Sequence, residues 1–415
     1  MPHAARGLCT FAAFCLALAT GARAQSFPTF SVYNFKGYTG TASSDGALPF
    51  GGTLVDRNNP NIVYGTTTQG GEYNGGAIYQ MTFNPGALPT DKIIYSFKAD
   101  PDLGAPTGRL YQDASGALYG GTIAGSKVNN GGIFKLTPPA NATGAWTETI
   151  LYTFPAAQII GANFNVSGLV GDGHGHLFGT IFAGRGHVFE INETGHYRSI
   201  HDFQGPDGQG PMGPVTIGPD GKLYGSTGYG GQSPCSGFGC GVIFSLARSG
   251  PTWNFAELYS FDGGAGGSLT IGHLALDAAG NIYGTNNTIG NHPDGTAFRI
   301  APATASAPAT ETVLATFTHE QPVDGIALDA AGNAYGTAQK GYREQIEYVL
   351  PATPGGQYGA PITLAALKNN ASNETDGLTV TSSSTVVTID GLVDEAISNQ
   401  AGNGSVFRIS LTKQP

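Results

Sequence analysis

Arg109 and His273 are the side chains whose types and positions suggest chemistry most directly. Each stands ten residues before an aromatic-glycine pair, Tyr119-Gly120 and Tyr283-Gly284. In the other units aligned without a gap, that position holds Gly168, Pro214, Gly325 and Gly377, so the scaffold does not call for a cation or an imidazole there. At the start of an innermost strand, such a pair could bind a carboxylated sugar or supply the base of a β-elimination. The bland alternative is that each bonds a loop carbonyl.

His319, Asp324, Tyr342 and Arg343 are weaker ligand-binding candidates, irregular loop residues for which solvated surface is the default. The same default covers Glu72, Tyr73, Asp100, Asp102, His292, Asp294, Glu320 and Glu344. His174 and His176 have the His-x-His spacing of a metal ligand pair, but they sit in an exposed turn and no metal is expected. Phosphate-loop, Gly-x-Ser-x-Gly and His-Glu-x-x-His patterns are all missing, so no cofactor is indicated.

These residues hang on a repeat. Asp277-Ala278-Ala279-Gly280-Asn281-Ile282-Tyr283-Gly284-Thr285 returns almost unchanged from Asp329 to Thr337, and in worn form at Asp113, Asp172 and Asp220. The aromatic-glycine pair recurs at Tyr64, Tyr119, Phe178, Tyr224, Tyr283 and Tyr335, and alignment of Asp376-Gly377-Leu378 with Asp324-Gly325-Ile326 puts an eroded seventh copy at Val387. A second phrase follows each time, as in Ile133-Phe134-Lys135-Leu136 and Val406-Phe407-Arg408-Ile409, with the alternation of a half-buried strand. A third phrase ends in Phe, as in Leu258-Tyr259-Ser260-Phe261. Its seventh copy lies not at the C-terminus but at the start, as Val32-Tyr33-Asn34-Phe35.

Four strands per unit predict a propeller blade. The last unit lacks its fourth strand and the N-terminal segment carries a spare one, so pairing the two ends removes a free edge. The expectation is an all-β, seven-bladed β-propeller of four-stranded antiparallel blades, closed by the N-terminal strand. The repeated Asp is read as a turn acceptor, and the repeated aromatics as packing between blades.

Composition fits this. Gly makes up 65 of 415 residues, charged residues only 12%, and no long stretch carries a helical apolar stripe. Residues 1–24 read as a secretory signal peptide: Arg6, an apolar run from Leu8 to Ala19 too short to span a bilayer, and Ala22-Arg23-Ala24. Residues 25–415 then form a single propeller domain, secreted or periplasmic, with no membrane span. The net charge of -10 becomes -12 once Arg6 and Arg23 leave, which argues against nucleic acid as a partner. Cys235 and Cys240 remain in the exported part and most simply close a small disulfide loop.

The succession L-x-x-D-x-x-G-x-L-Y-G-T, G-x-[IV]-F-x-L, L-Y-S-F resembles the gloeo/verruco ("GloVer") tandem repeat of exported bacterial proteins. The likeness covers nearly all of the exported chain and is weakest in the sixth and seventh units. It implies an extracytoplasmic repeat protein with no agreed activity, often with a C-terminal surface anchor; none follows Leu411, so that tether is not expected. The Asp-x-x-Gly-x-Ile-Tyr turn also looks like that of NHL-type and lactonase-type propellers.

In a propeller, ligands meet one mouth of the central channel. That mouth is lined by loops between second and third strands and by connections from a fourth strand to the next first strand. Two readings follow: a carbohydrate- or protein-binding module of the cell envelope or extracellular space, or an extracytoplasmic polysaccharide lyase or hydrolase, or lactonase-like enzyme. Convergence of His, Arg, Tyr and carboxylate groups in one pocket would favour the enzyme.

Overall fold

The computed structural model describes residues 29–36, 45–98, 102–125, 131–141, 144–155, 166–288, 294–341, 344–368, 378–383, 386–393 and 404–412. Among these the fold is all-β, and the one helical element is a 3-10 turn at Cys235–Gly237. The expected signal segment, residues 1–24, lies outside them.

The strands fall into four-stranded antiparallel units in chain order. Gly46–Val55, Ile62–Gly70, Ala77–Thr82 and Thr90–Ser96 form the first. Leu103–Gln112, Leu118–Gly125, Gly132–Thr137 and Thr147–Thr153 form the second; Val166–Gly171, His176–Ile181, His187–Asn192 and Tyr197–Asp202 the third. A parallel bridge between Gly168 and Arg109 merges these two into one eight-stranded sheet. The fourth unit comprises Thr216–Ile217, Leu223–Ser226, Val242–Ser249 and Thr252–Ser260, and the fifth Ser268–Leu276, Ile282–Thr288, Thr296–Ala301 and Thr310–Thr316. In the sixth, two short inner strands, Glu320–Pro322 and Ala327–Leu328, both pair with Ala334–Lys340, followed by Glu344–Leu350 and Ile362–Lys368.

The last sheet takes Thr379–Ser382, Val386–Val393 and Ser405–Thr412 from the C-terminal end and Thr29–Asn34 from the N-terminal end. Val32 stands opposite Phe407 and Tyr33 opposite Val406, antiparallel. The spare strand therefore completes the unit that lacks one, and the chain's two ends share a hydrogen-bonded sheet.

The seventh aromatic-glycine pair is not where alignment put it. Gly65, Gly120, Gly179, Gly225, Gly284 and Gly336 each stand opposite the aromatic of the second phrase, and in the last unit Gly391 faces Phe407. The seventh copy is thus Asp390-Gly391, not Val387. Glycine persists because the ring lies flat over it: a Cβ at Gly391 would meet Phe407 Cζ at 2.3 Å. The tyrosine is lost because its hydroxyl partner, the turn aspartate, has no counterpart in this unit.

Elsewhere that partnership explains the repeat. Asp329 accepts the amides of Ala331 and Asn333 on one oxygen, at 2.8 and 2.9 Å, and the Tyr335 hydroxyl on the other at 3.0 Å. Asp277 does the same for Ala279, Asn281 and Tyr283. The turn carboxylates are structural. Asp329→Ala should cost about 1–3 kcal/mol, since it leaves a nearly buried tyrosine hydroxyl and two amides without acceptors. A urea midpoint equal to that of the parent chain would contradict this.

The inner strands meet backbone to backbone. A Cβ on Gly51 would strike Gly108, one on Gly108 would strike Val166 and Gly168, and one on Gly272 would strike Gly325. Thr180 Oγ1 donates to the Gly213 carbonyl (2.9 Å) and Thr216 Oγ1 to the Leu274 carbonyl (2.6 Å). Leu378 N–H donates to Asp324 (3.0 Å), and Thr379 Oγ1 donates to the Thr53 carbonyl (2.6 Å). Each contact joins one unit to the next, the last joining the seventh to the first.

Candidate functional site

Arg109 and His273 sit inside their inner strands rather than at the strand starts. Each follows a glycine with positive φ, Gly108 (71°) and Gly272 (67°), within a β-bulge. The extra residue of a bulge re-aims the next side chain. His273 Nδ1 comes within 3.5 Å of Asp324 Oδ1, and Arg109 Nη2 donates to Thr379 Oγ1 at 2.5 Å. Burial lowers the Arg109 pKa, and the charge of Asp324 opposes that shift. Asp324 itself is 1% exposed; one carboxylate oxygen accepts the Leu378 amide, and its carbonyl accepts Thr285 Oγ1. The three candidates from units two, five and six thus converge on an inner polar cluster tied into unit seven.

Beside it lies Glu347, fully buried and met among the described residues by neutral donors, Thr337 Oγ1 at 2.8 Å and Gln345 Nε2 at 2.7 Å. Burial, helped by the charge of Asp324, pushes its carboxyl up to about 7.

The remaining candidates do not join this cluster. His319 is exposed in a left-handed turn, φ 63°, with its amide on Asp294. Tyr342 and Arg343 lie outside the described residues. His176 Nδ1 lies 2.8 Å from Glu190, which also accepts from Arg198, Arg248 and Trp253. Among the described residues no group of three or more His, Cys, Asp or Glu side chains could hold a metal.

A second feature occupies the edge defined by second-to-third-strand loops and fourth-to-first connections. A cleft of about 480 Å³ is lined there by Tyr229, Phe238, Asp262, Ser268, Thr288 and Cys235, which is disulfide-bonded to Cys240. Phe238 is 71% exposed. Its loop is nonetheless fixed, because its carbonyl accepts the Gly230 amide (2.8 Å), its amide meets the Cys235 carbonyl, and the disulfide closes the base. Tyr229 packs edge to face against it, with centroids 6.3 Å apart. Asp262 is exposed, gives one oxygen to the Gly264 amide, and has no cation partner among the described residues. Ser268 Oγ and Thr288 Oγ1 lie 3.0 Å apart on the far wall. The left-handed Leu269 beside them recurs as Leu48 and Ala105 in the first two units, so that conformation belongs to the scaffold.

A third cleft of about 350 Å³ separates the outer strands of units two and three, lined by Tyr152, His187, Tyr197, Ser199 and Asp202. His187 Nε2 lies 2.6 Å from the Tyr197 hydroxyl. Burial lowers the His187 pKa against the opposing charge of Asp202, and raises that of Tyr197.

Four-stranded antiparallel sheets, with structural neighbours of β-propeller type, define an all-β repeat protein of propeller-like architecture. Residues 147–349 match the Gloeobacter/Verrucomicrobia repeat. No match is found among curated proteins. An ancestral GH74 enzyme is similar over 94% of this chain and 52% of its own, at 11% identity and TM-score 0.56. PorZ, a surface component of the type-IX secretion system of Porphyromonas gingivalis, is similar over 89% and 47%, at 14% identity and TM-score 0.50. The chain spans about half the length of these two. The periplasmic gluconolactonase PpgL of Pseudomonas aeruginosa is similar over 80% of this chain and 88% of its own, at 14% identity and TM-score 0.49. At such identities the likeness concerns the fold alone.

Proposed function

We propose that the chain is an exported carbohydrate-binding module: residues 1–24 a signal peptide, and residues 25–415 one seven-bladed β-propeller domain with its ligand site at a mouth. Ring closure is supported by the shared terminal sheet and by the contacts linking each inner strand to the next. The disulfide fits an oxidising, extracytoplasmic compartment. The observation that carries the binding reading is Phe238, a solvent-facing aromatic held in place over a cleft rimmed by a carboxylate and hydroxyls. Holding the platform rigid in advance removes the ordering cost of binding. An envelope protein is the other partner this surface could take.

The test is a glycan and polysaccharide panel against the exported chain. Binding is expected, and Phe238→Ala should weaken it at least about fivefold, since truncating a central aromatic anchor costs more than about 1 kcal/mol. A panel without any binder would overturn the carbohydrate reading.

One observation favours the second reading, an extracytoplasmic lyase or hydrolase. Burial disfavours the charged form of His187, which shares a short hydrogen bond with Tyr197 in the third cleft, an arrangement suited to proton transfer. It predicts release of shortened or unsaturated products, lost in His187→Ala. Intact polysaccharide after long incubation would remove it.

A further inference from the structure

We infer that the mouth cleft selects neutral glycans and rejects their carboxylated counterparts. This rests on the carbohydrate-binding reading above and adds the charge class of the ligand. Among the described residues, Asp262 is the one carboxylate in the cleft lining, and neither Lys, Arg nor His joins it. An anionic sugar seated against Phe238 would therefore place its charge beside a carboxylate with no cation to offset it. The π face of Phe238 adds to this, because it carries the negative side of the ring quadrupole and attracts C–H edges rather than anions. The chain as a whole carries -10, so the long-range field has the same sign.

A neutral pyranose fits every group present. Its C–H face covers the exposed Phe238 ring, and its hydroxyls donate to Asp262. Among the described residues only one oxygen of that carboxylate is engaged, by the Gly264 amide at 2.8 Å. The Ser268 and Thr288 hydroxyls stand across the cleft as donors or acceptors for the ring substituents.

The experiment uses matched probes: cellohexaose, laminarihexaose and maltohexaose, each beside its C6-oxidised, carboxylate-bearing form, titrated calorimetrically into the exported chain. At low salt at least one neutral hexaose is expected to bind tenfold or more tighter than its oxidised partner. Asp262→Asn should shrink that ratio to a few-fold, and 1 M NaCl should shrink it in the parent chain, because the discrimination is electrostatic. Phe238→Ala should weaken neutral binding. An oxidised form binding as well as or better than its neutral partner, or a ratio unmoved by Asp262→Asn, overturns the selectivity while leaving carbohydrate binding intact. Binding of neither form overturns both.

Discussion

Asp390→Ala is expected to destabilise the chain by about 3–5 kcal/mol, because it strands a buried guanidinium. Asp390 is fully buried, and Arg408, 8% exposed, grips it with Nε at 2.6 Å and Nη2 at 3.0 Å. The same Nη2 donates to the Pro60 carbonyl of the first unit, and Thr53 Oγ1 donates to the Asp390 carbonyl at 3.2 Å. The pair therefore supports the seventh unit internally and fastens it to the first. Because charge loss rather than volume is responsible, Asp390→Leu with Arg408→Met should recover most of the stability. Urea midpoints of the single and double variants check this; a double variant no better than Asp390→Ala would contradict it.

The next largest effect is a dependence of stability on pH set by Glu347. Its folded pKa of about 7 lies above the ordinary glutamate value of 4.5, so the folded chain holds this proton more tightly than the unfolded chain. The resulting stabilisation is complete below pH 4.5 and is lost as pH rises through 7. A shift of this size corresponds to roughly 3 kcal/mol. Glu347→Gln keeps the shape and stays neutral, so it should be more stable than the parent at pH 8 and remove about one proton from the pH slope. Asp91, also raised to about 7 by burial, leaves a residual slope in that variant. Denaturant unfolding between pH 5 and pH 8 measures both; identical slopes in parent and variant would exclude Glu347 as the source.

Fold and site differ in how far they could be read from residues alone. The three phrases carry alternation and turn chemistry locally, so strands and unit order were legible, as was the pairing of Val32 with the C-terminal strand. The seventh pair was misplaced at Val387 because the Tyr-to-Asp exchange at Asp390 erased the aromatic marker. Only the register opposite Phe407 reveals Gly391 as its remnant. Convergence of Arg109 and His273 on Asp324 depends on three units meeting through their inner segments, which no spacing encodes. Phe238 drew no functional reading from the sequence, although an aromatic among glycines, out of phase with any strand, was the available signal. His187 and Tyr197 stand in ordinary strand phrases, and their pairing depends on ring orientation.

The mouth cleft is the proposed place where a glycan meets the chain. Backbone hydrogen–deuterium exchange with and without a bound neutral hexaose measures that directly. Protection is predicted over the loop 228–241, the connection 262–268 and Thr288. Protection confined to the segments around His187 and Tyr197, with the loop carrying Phe238 unchanged, would contradict it.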